Sequence, residues 1–212
     1  MQTRTVTPEQ MRPRIARFSE RKVHMNYRPD PSIPAEAFAA LTPPLHLLLA
    51  HAAEGTHPDA LPAVAGAKGM VVCMLDIQPG GKVPLHVHLR SRETFMCLKG
   101  RIRLRWNEHG EDETILEPFD LIDVPVGVYR DFQCAGDQPA LLLAIITDER
   151  EDEPGDVVAA PEERARFAER FGPAILPKLT AATGLHFTDP PEVKEGCLPG
   201  QTALASTRAL QL

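Results

Sequence analysis

Two histidines and a glutamate stand close together between Gly80 and Gly100. His86 and His88 are one residue apart, and Glu93 follows five residues later. Residues i and i+2 of a β-strand lie on the same face, so both imidazoles would point the same way. Two imidazoles and a carboxylate that converge suit a divalent ion such as Fe, Mn, Ni or Zn. The spacing therefore predicts a metal site at His86, His88 and Glu93.

Short strands must position these side chains. Between Gly69 and Thr147, turn residues divide the sequence into roughly eight strand-like runs with no helix between them. The run Arg101–Trp106 alternates strictly, with apolar residues on one face and arginines on the other. Many short strands joined by glycine-containing turns predict an all-β core, an antiparallel sandwich or barrel.

The flanking segments are predicted to form short helices. Helical signals are a capping pattern at Thr7–Gln10, apolar runs at 33–41 and 44–53, and Pro161–Phe171. The expected organisation has three parts: a helical N-terminal arm that packs on the barrel (1–68), the β-barrel (69–150), and a C-terminal helix with a Pro/Gly-rich tail (151–212).

Composition excludes some classes of function. The chain has 212 residues, of which 43% are hydrophobic and 25% charged, as expected for a globular protein that buries a sizeable core. Its formal net charge of −6 argues against a general nucleic-acid binder, which needs a basic face. The first ten residues contain no apolar segment, and the cysteines form no Cys-x-x-Cys pair. A cytoplasmic protein that contacts neither nucleic acid nor membrane is expected.

The stretch from Gly80 to Gly100 resembles the first signature motif of the cupin superfamily. It has glycine, five residues, His-x-His, four residues, glutamate, six residues and glycine, so every fixed position is matched. The resemblance extends over about 69–147. It implies a small jelly-roll β-barrel that is commonly dimeric. Such a barrel often holds a divalent metal through this motif plus a third histidine from a second motif. The reaction is not implied, because the superfamily includes dioxygenases, isomerases, decarboxylases, storage proteins and sensor domains.

The second motif departs from the family pattern. Pro125–Gly127 matches it, but Phe119 replaces its first glycine, and Cys134 replaces its asparagine. Arg130 stands where the third histidine belongs. Arginine cannot be a ligand, because it stays protonated and has no free lone pair. Its side chain is nevertheless expected to face inward, near Glu93.

Two interpretations of Arg130 stay open. In the first, His86, His88 and Glu93 hold the metal, and Arg130 binds an anionic substrate beside it. The protein would then be a metal-dependent, dioxygenase-like oxidoreductase acting on a small carboxylate-bearing molecule. In the second, Arg130 forms an ion pair with Glu93 and no metal is present. The protein would then be a non-catalytic cupin that binds or senses a small anionic ligand.

Other side chains are predicted to take no part in a metal site. The candidates for a replacement ligand, interpreted as ordinary helix or loop histidines, are His46, His51 and His57. His24 and His109 are interpreted as surface residues, and Cys97 as a buried thiol.

The apolar strand 141–146 predicts a homodimer or larger assembly, because both of its faces should be covered.

Overall fold

The computed structural model describes residues 3–23, 30–52, 61–147 and 156–188. Within these ranges lie eleven strands and four α-helices. The strands are β1 (Leu45–Ala50), β2 (Val64–Ala65), β3 (Met70–Ile77), β4 (Lys82–His88), β5 (Arg92–Lys99), β6 (Ile102–Trp106), β7 (Asp112–Leu116), β8 (Leu121–Val124), β9 (Arg130–Cys134), β10 (Ala140–Thr147) and β11 (Val157–Ala159). The helices are α1 (Pro8–Met11), α2 (Ala35–Ala39), α3 (Pro161–Phe171) and α4 (Ile175–Thr183).

The strands form two sheets. The six-stranded sheet has the order β2-β1-β3-β10-β5-β8, and the five-stranded sheet has the order β11-β4-β9-β6-β7. Every pairing is antiparallel except that of β1 with β2. Eight strands, β3 to β10, follow one another without a helix between them. The prediction of an all-β, antiparallel jelly-roll core is therefore confirmed.

The main core lies between the two sheets, and every second side chain along a strand points into it. On β5, Phe95 and Cys97 are fully buried, while the alternate residue Met96 points to the outer face. Phe95 packs on Phe132 of β9, with ring centroids 4.9 Å apart. These contacts join the sheets on which the candidate site residues lie.

The helix predicted over residues 44–53 is wrong, because Leu45–Ala50 is strand β1. A short apolar run cannot be assigned to helix or strand by periodicity alone. Here the neighbouring strand β3 favours the strand conformation, because the backbone N–H and C=O groups on its edge need hydrogen-bond partners. Strand β1 supplies them in antiparallel register, with His46 opposite Met74.

The other predicted helices are confirmed. At α1, Thr7 and Gln10 form the predicted capping box. Helix α2 lies within the predicted run 33–41, and α3 has the predicted bounds. Helix α4 was not predicted. The helices α2, α3 and α4 share a second apolar cluster beside the main core.

The predicted Pro/Gly-rich tail beyond residue 188 lies outside the described residues. Among the helices that are described, none has the length and apolar character needed to cross a bilayer.

The turn before β8 contains an unusual backbone conformation. Phe119, which replaces the glycine of the second motif, has φ of 76°, and its side chain is 74% exposed. This left-handed region favours glycine, because a Cβ approaches the following carbonyl oxygen there. Phe119 therefore adopts a backbone conformation that glycine would adopt at lower cost.

Candidate functional site

Strands β4 and β5 bring the three predicted ligand residues together. Their ligand atoms, one from each side chain, all lie within 4.8 Å of one another. Glu93 shares the inward face of β5 with Phe95, and His86 and His88 lie on β4. All three side chains are buried. Within the described part of the chain, this is the cluster that could hold a metal ion.

His86 has its Nδ1 atom engaged, which leaves Nε2 as the nitrogen available to a metal. Its Nδ1 atom lies 2.7 Å from the backbone oxygen of Pro84. A carbonyl oxygen can only accept, so Nδ1 carries the proton and the neutral ring keeps its lone pair on Nε2. Burial and the charge of Arg130 lower the pKa of His86 to about 3, so the ring is neutral near pH 7. This is the form of imidazole that binds metals.

Pro84 belongs to a local irregularity of β4. The register between β4 and β9 shifts between Val83 and His86, and a proline inside a sheet is found at such places because it has no N–H. The irregularity leaves the carbonyl of Pro84 available to His86.

His88 also has its Nδ1 atom engaged. This atom lies 2.6 Å from Oγ of Ser91, whereas Nε2 lies 3.6 Å from Oε2 of Glu93. The second distance is beyond hydrogen-bond range, so the Nε2 atom faces Glu93 without donating to it. Both imidazoles therefore have Nε2 left as the nitrogen available to a metal.

A further carboxylate, Asp156, stands behind His88. Ser91 Oγ donates to its Oδ2, and the backbone N–H groups of Arg90 and Ser91 donate to its Oδ1 at 2.7 and 3.2 Å. Partial burial would raise the pKa of Asp156, but the hydrogen bonds from His88 and Ser91 outweigh it and hold the pKa far below the ordinary value.

Sequence reasoning missed Asp156. It follows an acidic run, and 65 positions separate it from Ser91, so neither its type nor its spacing distinguishes it. Only the pairing of β11 with β4, which sets Val157 opposite His88, brings it to the site.

Arg130 lies on the neighbouring strand, directly opposite His86. Its side chain is 1% exposed, and its Nε and Nη2 atoms donate to the same oxygen of Glu93, Oε2, at 3.1 and 2.8 Å. Nη1 donates to the backbone oxygen of Val128 at 3.4 Å. The predicted inward orientation is confirmed, and the structure shows the contact with Glu93 that the second interpretation described.

The ion pair fixes the charge of Glu93. Burial alone would raise the pKa of this carboxyl, but the charge and hydrogen bonds of Arg130 hold it below the ordinary value. Near pH 7 both carboxylates are ionised: Glu93 pairs with Arg130, and Asp156 has the Arg90 guanidinium 4.0 Å from its Oδ1.

The remaining histidines lie elsewhere or outside the described residues. The ring of His46 lies between the backbone oxygen of Lys22, 2.9 Å from Nδ1, and Oδ2 of Asp76, 2.6 Å from Nε2. His109 is exposed in the turn between β6 and β7, and His51 is not in the cluster. The predictions for His24 and His57 concern residues outside the described ranges.

Cys97 is a fully buried core residue, as predicted.

Comparison with known proteins agrees with the fold. Residues 73–146 match the family model described as "Cupin domain". A protein of Arabidopsis thaliana described as germin-like (subfamily 1 member 2) is 28% identical over 118 residues, 53% of this chain and 48% of that protein. The chain therefore spans about half the length of that relative.

Two solved structures illustrate more distant similarity. The protein TT1209 from Thermus thermophilus is 25% identical, with a TM-score of 0.38, over 41% of this chain and 80% of that one. An oxalate decarboxylase from Lactobacillus farciminis, in a formate complex, is 19% identical, with a TM-score of 0.39, over 50% of this chain and 32% of that one. The family match includes the three clustered residues and Arg130, but it ends before Asp156.

Proposed function

We propose that this chain, whose residues 73–146 match the cupin domain, is a metal-dependent, dioxygenase-like oxidoreductase acting on a small carboxylate-bearing molecule. One observation carries the proposal: two buried imidazoles, each with Nδ1 engaged in a hydrogen bond, have ligand atoms within 4.8 Å of a buried, ionised glutamate. Two histidines and one carboxylate are the donor set of non-haem Fe(II) oxygenases, and imidazole also suits Zn and Ni.

The residues present fit such an ion. His86 and His88 would bind it through Nε2, and Glu93 through its carboxylate. The metal would supply a Lewis acid and, in the case of iron or manganese, a redox centre. The hydrogen bonds at Nδ1 hold each ring in place from behind, as is usual for histidines that bind metals.

Arg130 would position the substrate. A guanidinium has five N–H donors, and the bonds described to Glu93 and Val128 use three of them. The remaining N–H groups can donate to the carboxylate of a substrate without release of Glu93. Because the side chain is buried, such a charge-assisted bond would be stronger than one at the surface.

The contact between Arg130 and Glu93 favours a second candidate function. A fixed cation beside the carboxylate opposes a divalent ion, so the site would then be metal-free and Arg130 would bind an anionic ligand. The protein would be a binding or sensor module rather than an enzyme.

Metal analysis separates these candidates. We expect protein purified without added metal or chelator to contain stoichiometric Fe, Mn, Ni or Zn, and the double variant H86A/H88A to contain none. The matched control is His109→Ala, which removes an exposed histidine and should leave the metal content unchanged. Wild-type protein that binds none of these metals in titrations would refute the oxidoreductase and leave the anion-binding module.

A second measurement tests the reaction. The metal-loaded protein should consume oxygen with at least one member of a panel of small carboxylic acids, and Arg130→His should reduce this activity. The same variant should tighten metal binding, because it replaces a repelling charge by the third histidine of the second motif. Metal-loaded protein that consumes no oxygen with any acid in the panel would contradict the proposed reaction.

We also propose that the protein is a cytoplasmic homodimer. The location remains an expectation from the sequence. The dimer is supported by an apolar row across the outer face of the six-stranded sheet. Each residue of the row is the cross-strand partner of the next, in the order Met74, Leu143, Met96 and Leu121. Met74 is buried, but Leu121 at the other end is 54% exposed. A second copy would cover that end.

A further inference from the structure

A chain of hydrogen bonds leads from His88 away from the clustered ligand atoms. His88 Nδ1 lies 2.6 Å from Ser91 Oγ, and Ser91 Oγ contacts Oδ2 of Asp156. The direct distance from His88 Nδ1 to that oxygen is 3.3 Å. Two polar side chains, Ser91 and Asp156, are thus aligned behind one candidate metal ligand.

The direction of each bond follows from the groups at its ends. The backbone N–H groups of Arg90 and Ser91 both donate to Oδ1 of Asp156, which stabilises the ionised carboxylate. A carboxylate only accepts, so the hydroxyl of Ser91 must donate to it. The single hydroxyl proton is then used, and Ser91 Oγ can only accept from His88. Nδ1 of His88 is therefore the protonated nitrogen, and Nε2 keeps its lone pair.

We propose that Ser91 and Asp156 are positioning residues that hold His88 in its Nδ1–H tautomer and so keep its Nε2 lone pair directed into the site. The proposal rests on the proposed function only where it treats His88 as a metal ligand. Neither residue touches the place where a metal or substrate would lie, so both act through His88.

The hydrogen-bonded chain His88–Ser91–Asp156 is called the relay below. Its last residue, Asp156, comes from the segment after the matched family domain. Strand β11 pairs with β4, with Val157 opposite His88, and the backbone N–H of Leu89 donates to the carbonyl of Asp156 at 2.8 Å. These backbone bonds fix Asp156 in line with Ser91. The cupin domain of this chain therefore depends on its C-terminal segment for the state of one histidine.

The variant Asp156→Asn tests the relay, because it replaces a hydrogen-bond acceptor by a donor while the side chain keeps its size and shape. The amide oxygen can still accept from the two backbone N–H groups, but the amide NH₂ then faces Ser91 Oγ and donates to it. Ser91 is released to donate to His88 Nδ1. We expect His88 to change to the Nε2–H tautomer, because its Nδ1 must then accept.

Nitrogen NMR of histidine-labelled, metal-free protein reports this state directly. We expect Nδ1–H for His88 in the wild type and in Ser91→Ala, where Asp156 can accept from Nδ1 directly, and Nε2–H in Asp156→Asn. The matched control is Asp76→Asn, which replaces the carboxylate in contact with His46 by an amide and should leave His88 unchanged. An Nε2–H wild type, or a tautomer that does not respond to Asp156→Asn, would overturn the proposal.

Metal affinity gives a second readout. Loss of such an outer hydrogen-bond partner weakens binding by about 10- to 100-fold, so Zn(II) titration should show this loss for Asp156→Asn and a smaller loss for Ser91→Ala. Unchanged affinity in Asp156→Asn would overturn the role in metal binding. If the wild type binds no metal, the proposed function fails, while the NMR result still decides the relay. Should Asp156→Asn not fold, the wild-type tautomer decides alone.

Discussion

At the scale of single residues, the pair formed by Arg130 and Glu93 governs the site. Each is buried, and each satisfies the charge of the other. Removal of one partner of a buried pair is far more costly than replacement of both, because the charge that remains has lost its compensation. The pair therefore determines stability as well as chemistry.

Arg130→Ala should lower the free energy of unfolding by about 3–5 kcal/mol near pH 7, because the Glu93 carboxylate is left buried and unpaired. Urea denaturation measures the change. The variant R130A/E93Q, which removes the charge as well, should recover part of the loss. Arg103→Ala, a change at a partly exposed arginine of β6, is the control and should have little effect. A small loss for Arg130→Ala, similar to that of the control, would contradict this account of the pair.

The residues of the site differ in how far sequence could predict them. His86, His88 and Glu93 could be placed, because the period of two of a strand sets which side chains share a face. The inward direction of Arg130 followed from the same rule. Its choice of Glu93 did not, because the reach of a long side chain depends on packing that spacing does not encode. Asp156 could not be predicted at all, since its position depends on a pairing between distant strands.

At the scale of elements, the sequence did not determine the conformation of one edge strand and one turn. Strand β1 was predicted as a helix, because a short apolar run gives no period that separates the two structures. The sequence shows that Phe119 stands where the second motif has glycine, but only the dihedral angle shows that Phe119 occupies a glycine conformation. At both places, neighbouring elements rather than the local sequence determine the backbone conformation.

Phe119→Gly should be more stable than Phe119→Ala, because a left-handed residue with a Cβ costs about 1–2 kcal/mol. Part of that gain is offset by the greater freedom of glycine in the unfolded chain. The net difference of about 1 kcal/mol corresponds to about 2–4 °C in Tm for a chain of this size. Thermal unfolding followed by circular dichroism measures it. Equal Tm values for the two variants would show that the turn relaxes without strain.

The turn between β6 and β7 is connected to α3 by a pH-dependent contact. His109 Nδ1 lies 2.6 Å from Glu162, and this hydrogen bond raises the pKa of His109 above its ordinary value. The contact stabilises the fold below the ordinary histidine pKa and is lost as pH rises through the raised one. Its contribution is small, because both side chains are exposed.

NMR titration should show a lower pKa for His109 in Glu162→Gln than in the wild type, because the amide carries no charge. Glu108→Gln, which removes a more distant carboxylate, should lower it less. A pKa of His109 that does not change in Glu162→Gln would refute the contact.

At the scale of the whole molecule, two separate apolar clusters stabilise the fold. The first lies between the sheets, and the second joins α2 to the C-terminal helices α3 and α4. Segments from both ends of the chain thus pack on each other beside the β-core. The outer face of the six-stranded sheet remains partly uncovered at Leu121.

Leu121→Glu should convert the proposed dimer into a monomer, because it places a charge in the apolar row at the subunit contact. Sedimentation velocity at several protein concentrations measures the change. Leu61→Glu, at an exposed leucine in another region, is the control and should remain dimeric. A wild type that sediments as a monomer at every concentration would exclude the dimer.

Strand β11 has a consequence for the solubility of any shortened form of this protein. It covers the outer edge of β4, the strand that carries both clustered histidines. A chain that ended at Thr147, close to the end of the family match, would leave a row of backbone N–H and C=O groups on that edge without partners. Such edges pair with other chains. The β4 edges of two shortened molecules would then join, so a protein cut at its apparent domain boundary would tend to aggregate through the strand that carries its candidate site.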